Sequence, residues 1–302
     1  MKRKLIQALM ITVLVAFMAS CGDSNTSSEE AVGNDFLVTI KTDLGEMKAI
    51  LHDETPLHKA NFIKLANEGY FDSLIFHRVI KGFMIQGGDP DSRNATKEQR
   101  LGIGGPSERI PAEFVKTLFH QKGALSAART GGPSNPDKES SGSQFYIVQG
   151  TVIPSTQLEG INQQKLIQAF QICMQTQPDS DLAKEYQETM DKYPGVNDSI
   201  QAKVESTLER LGEMTGIEFS MPEERIETYS TLGGTPQLDG DYTVFGQVIS
   251  GIETIDTIAN TPTAPSDRPL EDVRMYISVE EMPRAEIEKK YNYKYPKAAI
   301  NQ

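Results

Sequence analysis

From residue 36 the chain alternates between two faces. Phe36, Val38 and Ile40 fall on one side of an extended segment, and Leu37, Thr39 and Lys41 on the other. A turn at Asp43, Leu44 and Gly45 leads into a second alternating run over 46–52, so the pattern predicts a hairpin. The period then becomes helical over 56–68. Thr55 is placed to cap this helix, Pro56 suits its first turn and Gly69 its stop. Phe62, Ile63 and Ala66 are expected to face the core, and His58, Lys59 and Lys64 to lie near solvent.

Next comes Phe76-His-Arg-Val-Ile-Lys-Gly-Phe-Met-Ile-Gln-Gly-Gly-Asp89, two apolar runs flanking Gly82, which predict two short strands. Arg78 stands among these apolar neighbours, where burial is costly unless its five donors find acceptors. On its own the stretch reads equally as a core strand pair with Arg78 snorkelling to the rim. Residues 90–111 have the composition of a long ordered loop, 112–118 are strand or irregular, and 129–141 form another loop. Strands are predicted at 123–128 and 143–148.

The character changes over 151–231. Leu166, Ala169, Phe170 and Cys173 recur at helical spacing, as do Leu182, Tyr186 and Met190, and then Ile200, Val204, Leu208 and Leu211. Breaks at Pro178, Pro194-Gly195 and Gly216 divide this block into three or four amphipathic helices. Their apolar stripes pack on one another or on the rest of the chain, or they form a groove for a partner. Strand character returns at 243–248 and 273–279, with a short helix over 251–259 between them. Residues 284–302 have basic residues and tyrosines without apolar periodicity, and are expected to be a surface tail.

The first residues are a targeting segment. Lys2, Arg3 and Lys4 precede an apolar run over 5–17 that is short for a membrane span. Met18-Ala-Ser-Cys21 follows and resembles a bacterial lipobox, with Met18 where leucine is preferred; an ordinary secretory signal is the alternative. The lipobox resemblance implies a lipid on Cys21 and attachment to a membrane through it. The small, polar and acidic residues after Cys21 then form a flexible tether up to residue 35. With Cys21 modified, only Cys173 remains, which leaves no intramolecular disulfide. The net charge of −12, or −15 without Lys2, Arg3 and Lys4, argues against a nucleic-acid partner.

Several kinds of chemistry lack their residues. The four histidines, His52, His58, His77 and His120, have no metal-ligand spacing with the cysteines. Asp89 and Asp91 begin something like a calcium loop, but Arg93, Asn94 and Arg100 occupy its later positions. No Walker lysine follows Gly102–Gly105, and Ser143 lacks the glycines of a nucleophile elbow. No metal or cofactor is expected.

Three ordered fragments carry a resemblance: 76–89, Gly142-Ser-Gln-Phe-Tyr146, and Leu238-Asp-Gly-Asp-Tyr-Thr-Val-Phe-Gly246. Together they closely resemble the cyclophilin family of peptidyl-prolyl isomerases. The resemblance implies a mainly β fold, a closed eight-stranded antiparallel barrel with two capping helices, over 36–150 and 232–282. The chain would then comprise a lipoprotein signal (1–20), a tether (21–35), this split domain, a helical insertion (151–231) and a C-terminal tail (283–302).

By the same resemblance, Arg78, Phe83 and Gln86 are catalytic, with Arg78 donating to the prolyl nitrogen. Phe83, Met84, Tyr146 and Leu238 match the pocket for the proline ring. Gln86, Gln144 and the backbone at Arg129 match groups that hold the flanking peptide, and Ala128 and Tyr242 complete the substrate-binding set. Gly87 and Gly88 allow close backbone packing behind the groove. Some positions depart from the family pattern. Tyr146 replaces a phenylalanine, so its hydroxyl needs a partner or solvent. Arg129 and Thr130 replace Asn-Ala, and Tyr242 stands where histidine is frequent. Gln237 occupies the place of a tryptophan that donates to cyclosporin, so cyclosporin binding is expected to be weak. The expected partners are proline-containing exported proteins, met in the cell envelope by a chain anchored to the outer or inner membrane and facing the periplasm. The alternative is a client-binding chaperone module with little isomerase activity.

Overall fold

The computed structural model describes residues 33–159, 163–192 and 198–296. The expected signal segment and Cys21, the tether up to residue 32 and the last six residues lie outside the described residues.

Among the described residues nine strands form one antiparallel sheet: β1 (Asn34–Thr42), β2 (Gly45–Leu51), β3 (Leu74–Ile75), β4 (Arg78–Ile80), β5 (Met84–Gly87), β6 (Ala124–Ala127), β7 (Phe145–Val148), β8 (Val244–Ser250) and β9 (Arg274–Pro283). Their order is β3-β9-β1-β2-β8-β6-β7-β5-β4. The predicted hairpin is β1–β2, in register from Leu37 opposite Ile50 to Thr42 opposite Gly45. The expected closed eight-stranded barrel is corrected on both points, since the sheet has nine strands and its ladder is open. Its outermost strands, β3 and β4, follow one another in sequence and are joined by Phe76 and His77 without pairing. Loops occupy the hydrogen-bonding positions there instead: the Phe76 N–H donates to Val273 O at 3.0 Å and the Val79 N–H to Asp267 O at 2.8 Å. Residues 112–118 form no strand.

Strand alternation sorts the sheet into two faces. Ile85 on β5, Leu125 and Ala127 on β6, and Phe145 and Ile147 on β7 enter the main core with Val38, Ile40, Met47 and Met275. Helix α1 (Pro56–Asn67) adds Phe62, whose ring lies 5.0 Å from Phe71 and 5.4 Å from Phe145. The alternate residues, Met84, Ala124, Tyr146 and Val148, form a separate cluster on the outer face.

Two expectations at α1 are corrected. Thr55 makes no side-chain cap, and its hydroxyl donates back to His52 O. The Glu113 carboxylate, from a distant loop, accepts from the N–H groups of Leu57 and His58 instead, at 3.1 and 3.0 Å. His58 is buried rather than near solvent, with Nδ1 2.6 Å from Glu113 and its ring stacked on Phe245. Gly69 ends the helix with φ +66°, as expected.

Among the described residues between β7 and β8 lie five helices: α2 (Ser155–Leu158), α3 (Gln163–Thr176), α4 (Asp181–Lys192), α5 (Asp198–Thr215) and α6 (Glu223–Thr231). The predicted stripes close on one another. Leu166, Ala169, Phe170 and Cys173 of α3 meet Leu182 and Ala183 of α4, Leu211 of α5 and Phe219, and the Phe170 and Tyr186 rings stack at 4.0 Å. The side chains of Met190, Ile200 and Val204 lie outside those described. Helix α6 joins the block to the sheet body. Its Tyr229 is fully buried, packs on Phe119 at 5.4 Å and accepts at its carbonyl from the Ile153 N–H.

Helix α7 (Ile252–Ala259) packs Ile255 and Ile258 into the main core. The C-terminal segment is not the expected surface tail. Strand β9 runs through Pro283 directly into α8 (Arg284–Tyr291), whose Ile287 is completely buried with Leu37, Ile50 and Met282. Arg284 pairs with Asp53 and lies 3.8 Å from Asp35, while Lys59 reaches both carboxylates at 2.6 Å. One buried isoleucine flanked by tyrosines makes no periodic stripe, so the pattern did not reveal this helix.

Candidate active site

The β4–β5 hairpin turns at Gly82, φ +77°, and its N–H donates to the Gln149 side chain at 2.6 Å. The register sets Arg78 opposite Gln86, Gln86 opposite Tyr146, and Tyr146 opposite Ser126. Opposed residues share a face, so a row of side chains runs across four strands. Gly88, φ +87°, lets this hairpin meet the chain before β7, because a Cβ there would stand 2.2 Å from Ser143 O.

Over this row opens a cleft of about 150 Å³, lined by Arg78, Phe83, Met84, Gln86, Ala128, Arg129, Tyr146, Leu238 and Tyr242. The structure thus brings together nine of the ten candidate residues from four separated segments. The tenth, Gln144, stands behind: its Oε1 accepts from Gln86 Nε2 at 3.2 Å, and its own Nε2 donates to Gly104 O at 2.7 Å.

Arg78 is half exposed at the rim, so the burial problem its neighbours posed does not arise. Its Nη1 lies 3.5 Å from Gln86 Oε1, and its Nε 3.6 Å from the Asp267 carboxylate. Both contacts are long, which leaves donors open toward the cleft. Arg129 folds away, with Nε donating to Asp241 O at 2.8 Å and its guanidinium 4.4 Å above the Tyr242 ring. His77, beside Arg78, is buried with neither ring nitrogen hydrogen-bonded among the described residues. Burial pushes its pKa down to about 4, against the opposing pull of Asp89.

The Tyr146 hydroxyl has a partner that the sequence did not reveal. It lies 2.9 Å from Nε2 of His120, whose Nδ1 is 2.9 Å from Asp239 Oδ1. The other oxygen of Asp239 accepts from the Tyr229 hydroxyl at 2.8 Å. Burial pushes the Tyr146 phenol well above its usual pKa. The arrangement offers an apolar concavity with a guanidinium and an amide at its rim.

A profile of the family described as "Cyclophilin type peptidyl-prolyl cis-trans isomerase/CLD" matches residues 37–172 and 213–279. The chain is 32% identical over 248 residues to the "Putative peptidyl-prolyl cis-trans isomerase" of Staphylococcus saprophyticus, which covers 81% of this chain and 91% of that one. It is 35% identical over 242 residues to the "Putative bifunctional phosphatase/peptidyl-prolyl cis-trans isomerase" of Streptococcus pyogenes, covering 78% of this chain and 37% of that one. Among solved structures, a cyclophilin type peptidyl-prolyl cis-trans isomerase of Cryptosporidium parvum aligns with a TM-score of 0.46 at 22% identity, over 83% of this chain and 100% of that one. The chain belongs to the cyclophilin-type peptidyl-prolyl cis-trans isomerases, enzymes that interconvert the isomers of X–Pro bonds. The gap between the two matched segments, 173–212, falls inside the helical block.

Proposed function

We propose that the cleft over β5 and β7 is where the X–Pro bond turns, and that Arg78, Phe83 and Gln86 carry the reaction. The uncatalysed rotation crosses a barrier of about 18–20 kcal/mol because amide resonance is lost on the way. No bond is made or broken, so it suffices to bind the twisted amide better than either planar form. The proline ring sits against Phe83, Met84, Tyr146 and Leu238. As the amide twists, the prolyl nitrogen regains a lone pair, and the Arg78 guanidinium donates to it. Arginine suits this role because it is a permanent cation that needs no proton exchange. Gln86, steadied by Gln144, holds the flanking peptide, with the backbone at Ala128 and Arg129 and the ring of Tyr242 opposite. The observation that carries this reading is Arg78 facing Gln86 in register at the rim of an apolar cleft.

The substrates are exported proteins folding in the cell envelope, and the enzyme is held there by a lipid on Cys21. This part of the reading rests on residues 1–21. Cyclosporin binds weakly for lack of the tryptophan that Gln237 replaces. In a protease-coupled assay on a proline tetrapeptide, the protein accelerates cis-to-trans conversion over the spontaneous rate. A rate no different from the spontaneous one contradicts the proposal. Metabolic labelling with a radioactive fatty acid should mark the wild type and not Cys21→Ala; labelling of neither refutes the anchor.

A further inference from the structure

Tyr146 forms part of the cleft wall, yet its hydroxyl is tied to groups outside the cleft. The His120 side chain is 1% exposed, and its ring stacks on Tyr146 with centroids 6.0 Å apart. Asp239 takes the backbone N–H of His120 at 2.9 Å as well as facing Nδ1. A carboxylate only accepts, so in the neutral imidazole the proton sits on Nδ1 and Nε2 accepts from the Tyr146 hydroxyl. The remaining oxygen of Asp239 is filled by Tyr229, from the last helix of the insertion. Each of these contacts is between 2.8 and 2.9 Å, and each orients the next.

We propose that Tyr229, Asp239 and His120 are positioning residues for the proline pocket, so that helix α6 sets the placement of the Tyr146 ring. The inference rests on the reading of Tyr146 as pocket wall. It assigns the insertion a part in the enzyme: its last helix completes a hydrogen-bonded chain that begins at the substrate cleft. A phenylalanine at 146 would end the chain at His120.

The test is a double-mutant cycle read in two ways. Tyr229→Phe keeps the ring that packs on Phe119 and removes only the hydroxyl. It should lower kcat/KM on a proline tetrapeptide by about three- to ten-fold, the scale of one hydrogen bond. In the Tyr146→Phe background the same substitution should have no effect, because the chain no longer reaches the cleft. An equal loss in both backgrounds, or none in either, overturns the inference. The second readout does not depend on turnover. With tyrosines labelled at Cζ, Tyr229→Phe should shift the Tyr146 resonance, and imidazole nitrogen shifts should report the Nδ1–H tautomer of His120. An unmoved Tyr146 resonance refutes the chain even in an active enzyme. A shifted resonance in an enzyme without turnover would instead refute the pocket reading and leave the chain standing.

Discussion

The sheet body has its main apolar cluster running from Val38 on β1 to Ile277 on β9, with Phe62 of α1 and Ile255 of α7 packed into it. The helical block closes a second cluster around Phe170 that shares no side chain with the first. Its two ends also meet, since Thr151 and Gly234 exchange backbone hydrogen bonds at 3.3 and 3.1 Å. An insertion whose ends are already adjacent asks little of the strands on either side, because the entropy of closing a loop grows slowly with its length. The body therefore keeps the register that aligns Arg78, Gln86 and Tyr146, whatever the block does. The exception is α6, which contributes Tyr229 to the seam.

The largest effect that tests this contrast lies in the body. Phe62→Ala should destabilise the whole sheet domain by about 3–5 kcal/mol, measured by denaturant unfolding. A loss below about 1 kcal/mol would mean that the Phe62–Phe71–Phe145 cluster is not the keystone of this core. His77 gives an effect of similar size through pH. Its folded-state pKa lies below the unfolded value of 6.5, so the neutral form stabilises the fold fully above pH 6.5. That stability should decline on the order of 3 kcal/mol as the pH falls toward 4, then level off. His77→Leu should flatten the profile. His58, whose pKa burial also lowers, leaves a residual slope of the same sign. An unchanged slope in the variant contradicts the assignment.

Ile287→Ala follows, at about 2–4 kcal/mol. A change within about 0.5 kcal/mol would return residues 284–291 to the status of a surface appendage. The smallest effect on the body sharpens the comparison most. Phe170→Ala should speed amide exchange across α3, α4 and α5 while shifting the unfolding midpoint of the sheet domain by less than about 2 °C. A body transition lowered as far as by Phe62→Ala would show one shared core rather than two.

Local pattern accounts for what was legible in the sequence. Alternation marked β1 and β2, short apolar runs marked β4, β5, β6 and β7, helical spacing marked α1 and the inner stripes of α3 and α4, and Gly82 marked the hairpin turn. Most of the candidate site was legible because eight of its ten residues fall in three compact fragments, two of which lie on adjacent strands; Ala128 and Arg129 lie outside them. What stayed hidden are pairings between residues far apart in sequence. Glu113 caps a helix 55 residues earlier, and Asp239 orients a histidine 119 residues earlier. Such contacts leave no periodic trace, so His120 could be judged only as a metal ligand and Thr55 only as the nearest cap. The open ladder between β3 and β4 was equally invisible, because sheet closure depends on hydrogen bonds that neither strand's sequence encodes.

The most direct test of the account is Arg78→Ala, with turnover and binding measured on the same proline peptide. In the proposed mechanism Arg78 meets the prolyl nitrogen only when the amide is twisted, so kcat/KM should fall by about 10²–10³-fold. The peptide Kd, read by NMR titration, should change less than about three-fold. Equal turnover in wild type and variant, or a loss that lies wholly in binding, would contradict it.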